Sequence, residues 1–133
     1  GSVEGLGLLD VETTLLPGKT LTLVRGTHAA TGQSINGYEI HLGKTLGQAC
    51  EKPFALLDGR ADGAISQNGQ VMGTYLHGCF GSDAFRAAFL TALGAEAGSL
   101  RFEAEIERTL DALAAHLETH LDLDRLLSLA GDV

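Results

Sequence analysis

The sequence predicts a mixed, largely antiparallel sheet followed by two or three helices. Three features carry that prediction. Ahead of Ser82, apolar and polar residues alternate in short runs, the period of a strand with one buried face. Glycine-containing turn dipeptides separate those runs, and no segment between them is a crossover helix, so they do not read as βαβ units. Beyond Ser82 the apolar spacing changes to three and four, which is helical.

Residues 5–15 read as a strand with a loose start, closed by the turn signal Pro17-Gly18. Residues 21–25 alternate and are partly β-branched, giving a second strand. Residues 27–36 are small, polar and turn-prone, and 35–42 form a third strand. Residues 44–52 read as a loop and 54–57 as a short strand, followed by the turn dipeptides Asp58-Gly59 and Asp62-Gly63. Residues 64–66 and 70–77 flank Gln67-Asn68-Gly69 as a hairpin, where Asn-Gly predicts a type I′ turn. Ser82 is placed to cap a helix carrying Phe85, Ala88, Phe89 and Leu93, with Asp83 at its positive end and Gly94 as its C-cap. A second helix spans 102–120 on the stripe Phe102, Ile106, Leu110, Leu113, Leu117 and Leu121. Asp122 or Asp124 starts a short last helix with Leu126, Leu127 and Leu129.

With 133 residues, 44% of them hydrophobic, the chain is one domain or part of one and can bury a core. A net charge of −8 and the lack of any Lys/Arg cluster argue against nucleic acid and anionic lipid as partners. No apolar run has the length of a membrane span, and two cysteines make no disulfide framework, so the chain reads as cytoplasmic.

The candidate chemistry centres on His77. It ends the apolar run 71–76 beside Gly78, so a strand would deliver one imidazole at its carboxyl end, as a general base requires. The alternative is a histidine that closes a strand and bonds nearby backbone. In the third strand, alternation puts Tyr38, Ile40 and Leu42 on one face and Glu39 and His41 on the other. Two titratable side chains on one strand face suggest more than a surface, and His77 is expected to share their cleft. Cys79 would fall on the same side of an extended strand as His77, but it lacks a nucleophile elbow, and its phenylalanine neighbours indicate a buried thiol. Cys50, Ser66 and Ser82 also lack that frame. His116 and His120 share a helix face and could hold a zinc, but without an H-E-x-x-H pattern they read as a solvated face, and no metal ligand is assigned. His28 lies in a polar loop and gives no spacing signal, and there is no phosphate-binding glycine loop.

Three stretches, Val3-Glu4-Gly5-Leu6-Gly7-Leu8-Leu9-Asp10-Val11-Glu12-Thr13, Gly37-Tyr38-Glu39-Ile40-His41-Leu42-Gly43 and Tyr75-Leu76-His77-Gly78, together resemble the later part of the glutamine amidotransferase domain of the cobyric acid synthases. His120-Leu121-Asp122-Leu123-Asp124-Arg125-Leu126-Leu127 resembles that family's C-terminal helix, so the likeness spans essentially the whole chain. It implies the α/β class, as a three-layer sandwich of the class I, triad-type amidotransferases. It also implies an enzyme that uses ATP and glutamine to amidate peripheral carboxylates of adenosylcobyrinic acid a,c-diamide in cobalamin biosynthesis. In that family a cysteine thiolate attacks the glutamine amide, a histidine serves as base and acid, and ammonia passes to a synthetase domain.

Carried over residue by residue, His77 matches the catalytic histidine. Gly37, Tyr38, Glu39 and His41 match a family motif that lines either the glutaminase site or the face toward the synthetase domain. Nothing matches the nucleophilic cysteine in its Gly-rich elbow, and Cys79 stands where many class I relatives place a glutamate that orients the histidine; related cobyric acid synthases lack it as well. The resemblance therefore implies that residues 1–133 are the C-terminal part of a glutaminase domain, inactive alone, with the nucleophile half and the ATP-dependent synthetase domain upstream. No cofactor is expected in this chain; ATP and Mg belong to the synthetase domain. Glutamine is the implied substrate, and a corrinoid is bound through the synthetase domain. Alternatives are the a,c-diamide synthase, the lipid II amidating enzyme, or a non-catalytic binding module that kept the fold. Without its first half the sheet edge at 71–76 would be unpaired, leading either to self-association or to coverage by the helix at 102–120.

Overall fold

The computed structural model describes residues 1–96 and 98–131, in two units, Gly1–Gly98 and Ser99–Val133. Its elements in chain order are β1 (Glu12–His28), β2 (Ser34–Leu46), β3 (Ala55–Leu57), β4 (Arg60–Asp62), β5 (Ala64–Ile65), β6 (Met72–Gly73), β7 (Leu76–His77), α1 (Asp83–Ala92), α2 (Phe102–His120) and α3 (Leu123–Ala130). Short 3-10 turns occupy Gln48–Glu51 and Cys79–Gly81. The main sheet has the order β4-β3-β1-β2-β7 with every pairing antiparallel, and β5 and β6 form a second, two-stranded sheet. The class is mixed α/β, as expected.

The strands predicted at 5–15 and 21–25 are a single strand that begins only at Glu12. Thr14 pairs with Lys44 and Lys19 with Leu42, so Leu15, Leu16, Pro17 and Gly18 lie opposite Gly43 alone. Pro17-Gly18 is thus a bulge in a continuous strand and not a turn; a bulge is where a strand tolerates a residue without an N–H. Gly43 has φ 111°, and a Cβ there would stand 2.1 Å from the Thr14 carbonyl oxygen, so glycine permits this approach. The expected loop at 44–52 is partly strand, because β2 continues to Leu46 against β1.

The type I′ geometry sits at Asp58-Gly59, where both φ values are positive (48° and 79°) between β3 and β4. At Asn68-Gly69 only the glycine has positive φ. The Asn68 side-chain oxygen accepts from Ser66 Oγ (2.8 Å) and the Gln70 N–H (3.1 Å), and Gly69 N–H donates to the Ser66 carbonyl (2.9 Å), giving a wider turn with a bulge glycine. The predicted strand 70–77 is divided. β6 pairs with β5, and β7 pairs with β2 in the other sheet. Thr74 marks the change of sheet: its hydroxyl donates to the buried Asp62 carboxylate and accepts the Leu76 N–H (3.0 Å).

Ser82 stands at the N-cap of α1 but does not cap it. Its hydroxyl instead donates to the Asn36 side-chain oxygen (2.6 Å) and accepts the Asn36 N–H (3.3 Å), tying the helix start to β2. Asp83 lies in the first turn as expected, and α1 ends at Gly94 (φ 81°), with Ala95 N–H on the Leu90 carbonyl and Gly94 N–H on that of Thr91, each at 3.0 Å. In the second unit, α2 has the predicted bounds, and the Asp122 carboxylate caps α3 by accepting the Arg125 N–H (3.0 Å). Among the described residues no helix is long and apolar enough to cross a membrane.

The core of the first unit gathers Val24, Ile35, Phe54, Ala55, Leu57, Leu76, Cys79 and Phe85. His28 is not a loop residue: it ends β1, is 3% exposed, and its ring lies 4.8–6.1 Å from the centroids of Phe54, Phe85 and Phe89. The Thr31 N–H donates to its Nδ1 (3.3 Å) and the Thr31 hydroxyl lies 2.9 Å from the same atom. A backbone N–H can only donate, so Nδ1 accepts and the ring is neutral. Burial holds His28 below the ordinary imidazole range. The unfolded chain takes up this proton near pH 6.5 and the folded chain only at lower pH, so stability is fully present above about 6.5 and falls on acidification toward the folded value. Urea midpoints between pH 7.5 and 5 should show this decline, and His28→Leu should flatten it. Equal slopes in the two proteins would assign the decline to other groups.

Candidate active site

His77 is the last residue of β7, an edge strand of the main sheet. The register pairs His77 with Tyr38 and Leu76 with Glu39. Cross-strand partners share a face and successive residues alternate, so His77 stands beside Tyr38 on one face while Leu76 and Glu39 point to the other. Burial agrees: Leu76 and Glu39 are 4% and 6% exposed, whereas His77 and Tyr38 are exposed. The face that carries His77 also carries Leu21 opposite Ile40, Leu23 opposite Tyr38, and Leu42, with Leu21, Leu23, Tyr38 and Leu42 all about half exposed or more.

This corrects the expectation of a shared cleft. Glu39 and His41 line a different space, a cleft of about 570 Å³ on the opposite side, together with Arg60, Asp62, Thr74 and Tyr75 but without His77. Glu39 Oε2 accepts from Arg60 Nη2 at 2.9 Å, and its Oε1 lies 3.2 Å from His41 Nε2. The guanidinium holds the Glu39 carboxyl below its ordinary range despite the opposing effect of burial. His41 Nδ1 lies 2.9 Å from the Gly43 carbonyl, which only accepts, so Nδ1 carries a proton. Its contact with ionised Glu39 is a hydrogen bond only when Nε2 is protonated too. The ring stacks on Tyr75 at 4.6 Å, and the Tyr75 hydroxyl bonds Thr45. Among the described residues no buried side-chain polar atom lacks a partner. Glu39 and His41 therefore form an internally matched polar pair, with Arg60 as counter-ion.

Cys79 does not share a side with His77, because the chain leaves extended geometry at Gly78 and Cys79 enters a 3-10 turn in the core. Desolvation pushes its thiol up, which is opposite to what a thiolate nucleophile needs. Cys50 is among the residues that line the Glu39 cleft. The rings of His116 and His120 stack at 4.1 Å, and His120 Nδ1 bonds the His116 carbonyl (2.8 Å). Arg60 went unremarked in the sequence, and Tyr75 entered only as part of the stretch that carries His77. The Asp58-Gly59 turn ahead of Arg60 was legible, but its reach to a carboxylate on β2 depends on three intervening strand pairings.

The fold thus presents one exposed imidazole on the edge strand of an antiparallel sheet. The sequence profile of the CobB/CobQ-like glutamine amidotransferase domain matches residues 1–85, and the chain belongs to that family. It is 57% identical over 130 residues to a cobyric acid synthase of Cereibacter sphaeroides, 55% to one of Rhodobacter capsulatus and 55% to one of Bradyrhizobium diazoefficiens. Each alignment takes in 98% of this chain and 27% of the relative, so the chain spans about a quarter of the length of the curated relatives it matches.

Arg60→Ala leaves a buried carboxylate without its guanidinium. Stability at pH 7 should drop by about 1–2 kcal/mol, low in the range for such a loss because Arg60 itself is water-exposed. Glu39 contributes above its unfolded pKa and loses that contribution as pH falls through its lowered folded value, so acid unfolding of the variant should move to higher pH. Urea and acid titrations followed by circular dichroism test both; an unchanged midpoint at pH 7 would refute the counter-ion role.

Proposed function

We propose that this chain is the C-terminal, histidine-bearing part of the glutaminase domain of a cobyric acid synthase. The observation that carries the reading is identity of 55–57% with such synthases across nearly the whole chain. The presentation of His77 on an open sheet edge supports it. In this reading a cysteine from the preceding part of the domain approaches that edge. His77 takes the thiol proton, and the thiolate adds to the glutamine amide carbon. The imidazolium then protonates the departing ammonia, leaving a thioester. Water attacks the thioester as His77 accepts its proton, and glutamate leaves with the thiol restored. The ammonia is used by an ATP- and Mg-dependent synthetase domain that amidates a corrinoid carboxylate. ATP and Mg belong to that domain in this reading, and the enzyme is cytoplasmic.

The open β7 edge and the leucines around Tyr38 are the surfaces that the rest of the domain would cover. The chain alone should therefore self-associate, because unpaired edges and apolar faces find partners. Light scattering on the purified chain tests this, and a strict monomer at high concentration would count against the reading. In the full-length protein, His77→Ala should lower glutamine-driven amidation by about 10²–10⁴-fold, the usual worth of general acid–base catalysis, and leave amidation with added ammonium intact. Equal loss with both nitrogen sources would make His77 structural.

A further inference from the structure

A Cβ built on Gly37 would stand 2.1 Å from the His77 carbonyl oxygen, 3.2 Å from its carbonyl carbon and 3.0 Å from Leu76 Cδ1. Gly37 does not have a positive φ, so the need for glycine here is one of space and not of torsion. The reason for the crowding lies just beyond His77. Gly78 takes a left-handed conformation (φ 82°, ψ 4°) and sends the chain across β2 into the core, as the 3-10 turn Cys79–Gly81. Gly81 N–H closes that turn on the Gly78 carbonyl at 2.9 Å. Ser82 then fastens the segment to Asn36, the residue beside Gly37, through two hydrogen bonds.

The stretch around His77 is thus held on β2 at four successive places. Leu76 lies opposite Glu39, His77 opposite Tyr38, the His77 carbonyl sits on Gly37, and Ser82 bonds Asn36. The imidazole is directed outward by how its own backbone is seated. We infer that Gly37 is a positioning residue for His77: the absent side chain lets the His77 carbonyl rest on β2, and that seat fixes where the imidazole stands. The inference rests on reading His77 as the glutaminase base. Relieving the clash would require the end of β7 to move by about 1 Å, and a displacement of that size at a reacting group costs on the order of 10²-fold in rate.

A second glycine supplies the control. A Cβ on Gly26 would stand 1.9 Å from the Leu56 carbonyl oxygen, an equally severe backbone clash in the same sheet, on the side of β1 away from β7. In the full-length protein, Gly37→Ala should lower the glutamine-driven rate about 100-fold with ammonium-driven amidation unchanged. Gly26→Ala should lower thermal stability and leave the ratio of the two activities at the parental value. Gly78→Ala, where a Cβ meets nothing within 4 Å, strains only the turn after His77 and should lower the same ratio, so it decides the matter if Gly37→Ala does not fold. His77→Ala is measured beside them. If that variant keeps glutamine-driven activity, the reading of His77 fails. If it loses activity while Gly37→Ala, or Gly78→Ala in its place, keeps the parental ratio, the positioning role is overturned and the reading of His77 stands. A ratio lowered equally by Gly26→Ala would also overturn it.

Discussion

The pairing of Tyr38 with His77 and Glu39 with Leu76 is the constraint on which the rest of the site depends. A strand alternates its side chains, so one register decides both faces together. With this one, His77 meets open solvent on an edge strand, and Glu39 is driven into a cleft where an unpaired carboxylate would be costly. Arg60, arriving from the far edge of the sheet, makes that burial tolerable. A slip of β7 by one residue would place His77 opposite Glu39 or Gly37 and turn its imidazole to the buried face, away from Tyr38.

The same logic explains two of the three buried polar groups of the first unit, Glu39 and His28. Glu39 is ionised and held by the Arg60 guanidinium, whereas His28 sits neutral among aromatic rings with its single acceptor used by Thr31. Both are held away from their ordinary pKa, in each case downward, but for different reasons: a guanidinium for the acid and desolvation for the imidazole. Neither lies on the face of His77. The chain thereby keeps its polar interior on the side of the sheet away from the exposed His77 imidazole.

Much of the fold was legible because it is local. The bounds of α2 follow from apolar spacing, Gly94 stops α1 by its left-handed φ, and Asp122 caps α3 as its side chain dictates. Turn signals were less secure, because Pro-Gly and Asn-Gly state what the backbone can do and not what its neighbours require. Pro17-Gly18 became a bulge because β1 keeps pairing with β2 on either side of it. Asn68 kept an ordinary φ because its side chain found two local donors, and the mirror-image turn fell to Asp58-Gly59. The run 70–77 looked like one strand, but its two ends pair with different sheets.

By itself, the sequence determined that a strand-rich first part gives way to helices beyond Ser82, the alternation of Tyr38 against Glu39, the prominence of His77 before a glycine, and the want of any nucleophile frame around Cys79. These are properties of spacing and residue type, and they survive whatever the chain packs against. Only the tertiary structure decided which of the two faces is buried, that Arg60 completes Glu39, that His28 belongs to the aromatic core, and that His77 and the Glu39–His41 pair stand on opposite sides of the sheet. Those outcomes depend on register between strands distant in sequence. Alternation fixes that Tyr38 and Glu39 face opposite ways, but pairing with β7 is needed to say which of them stands beside the histidine.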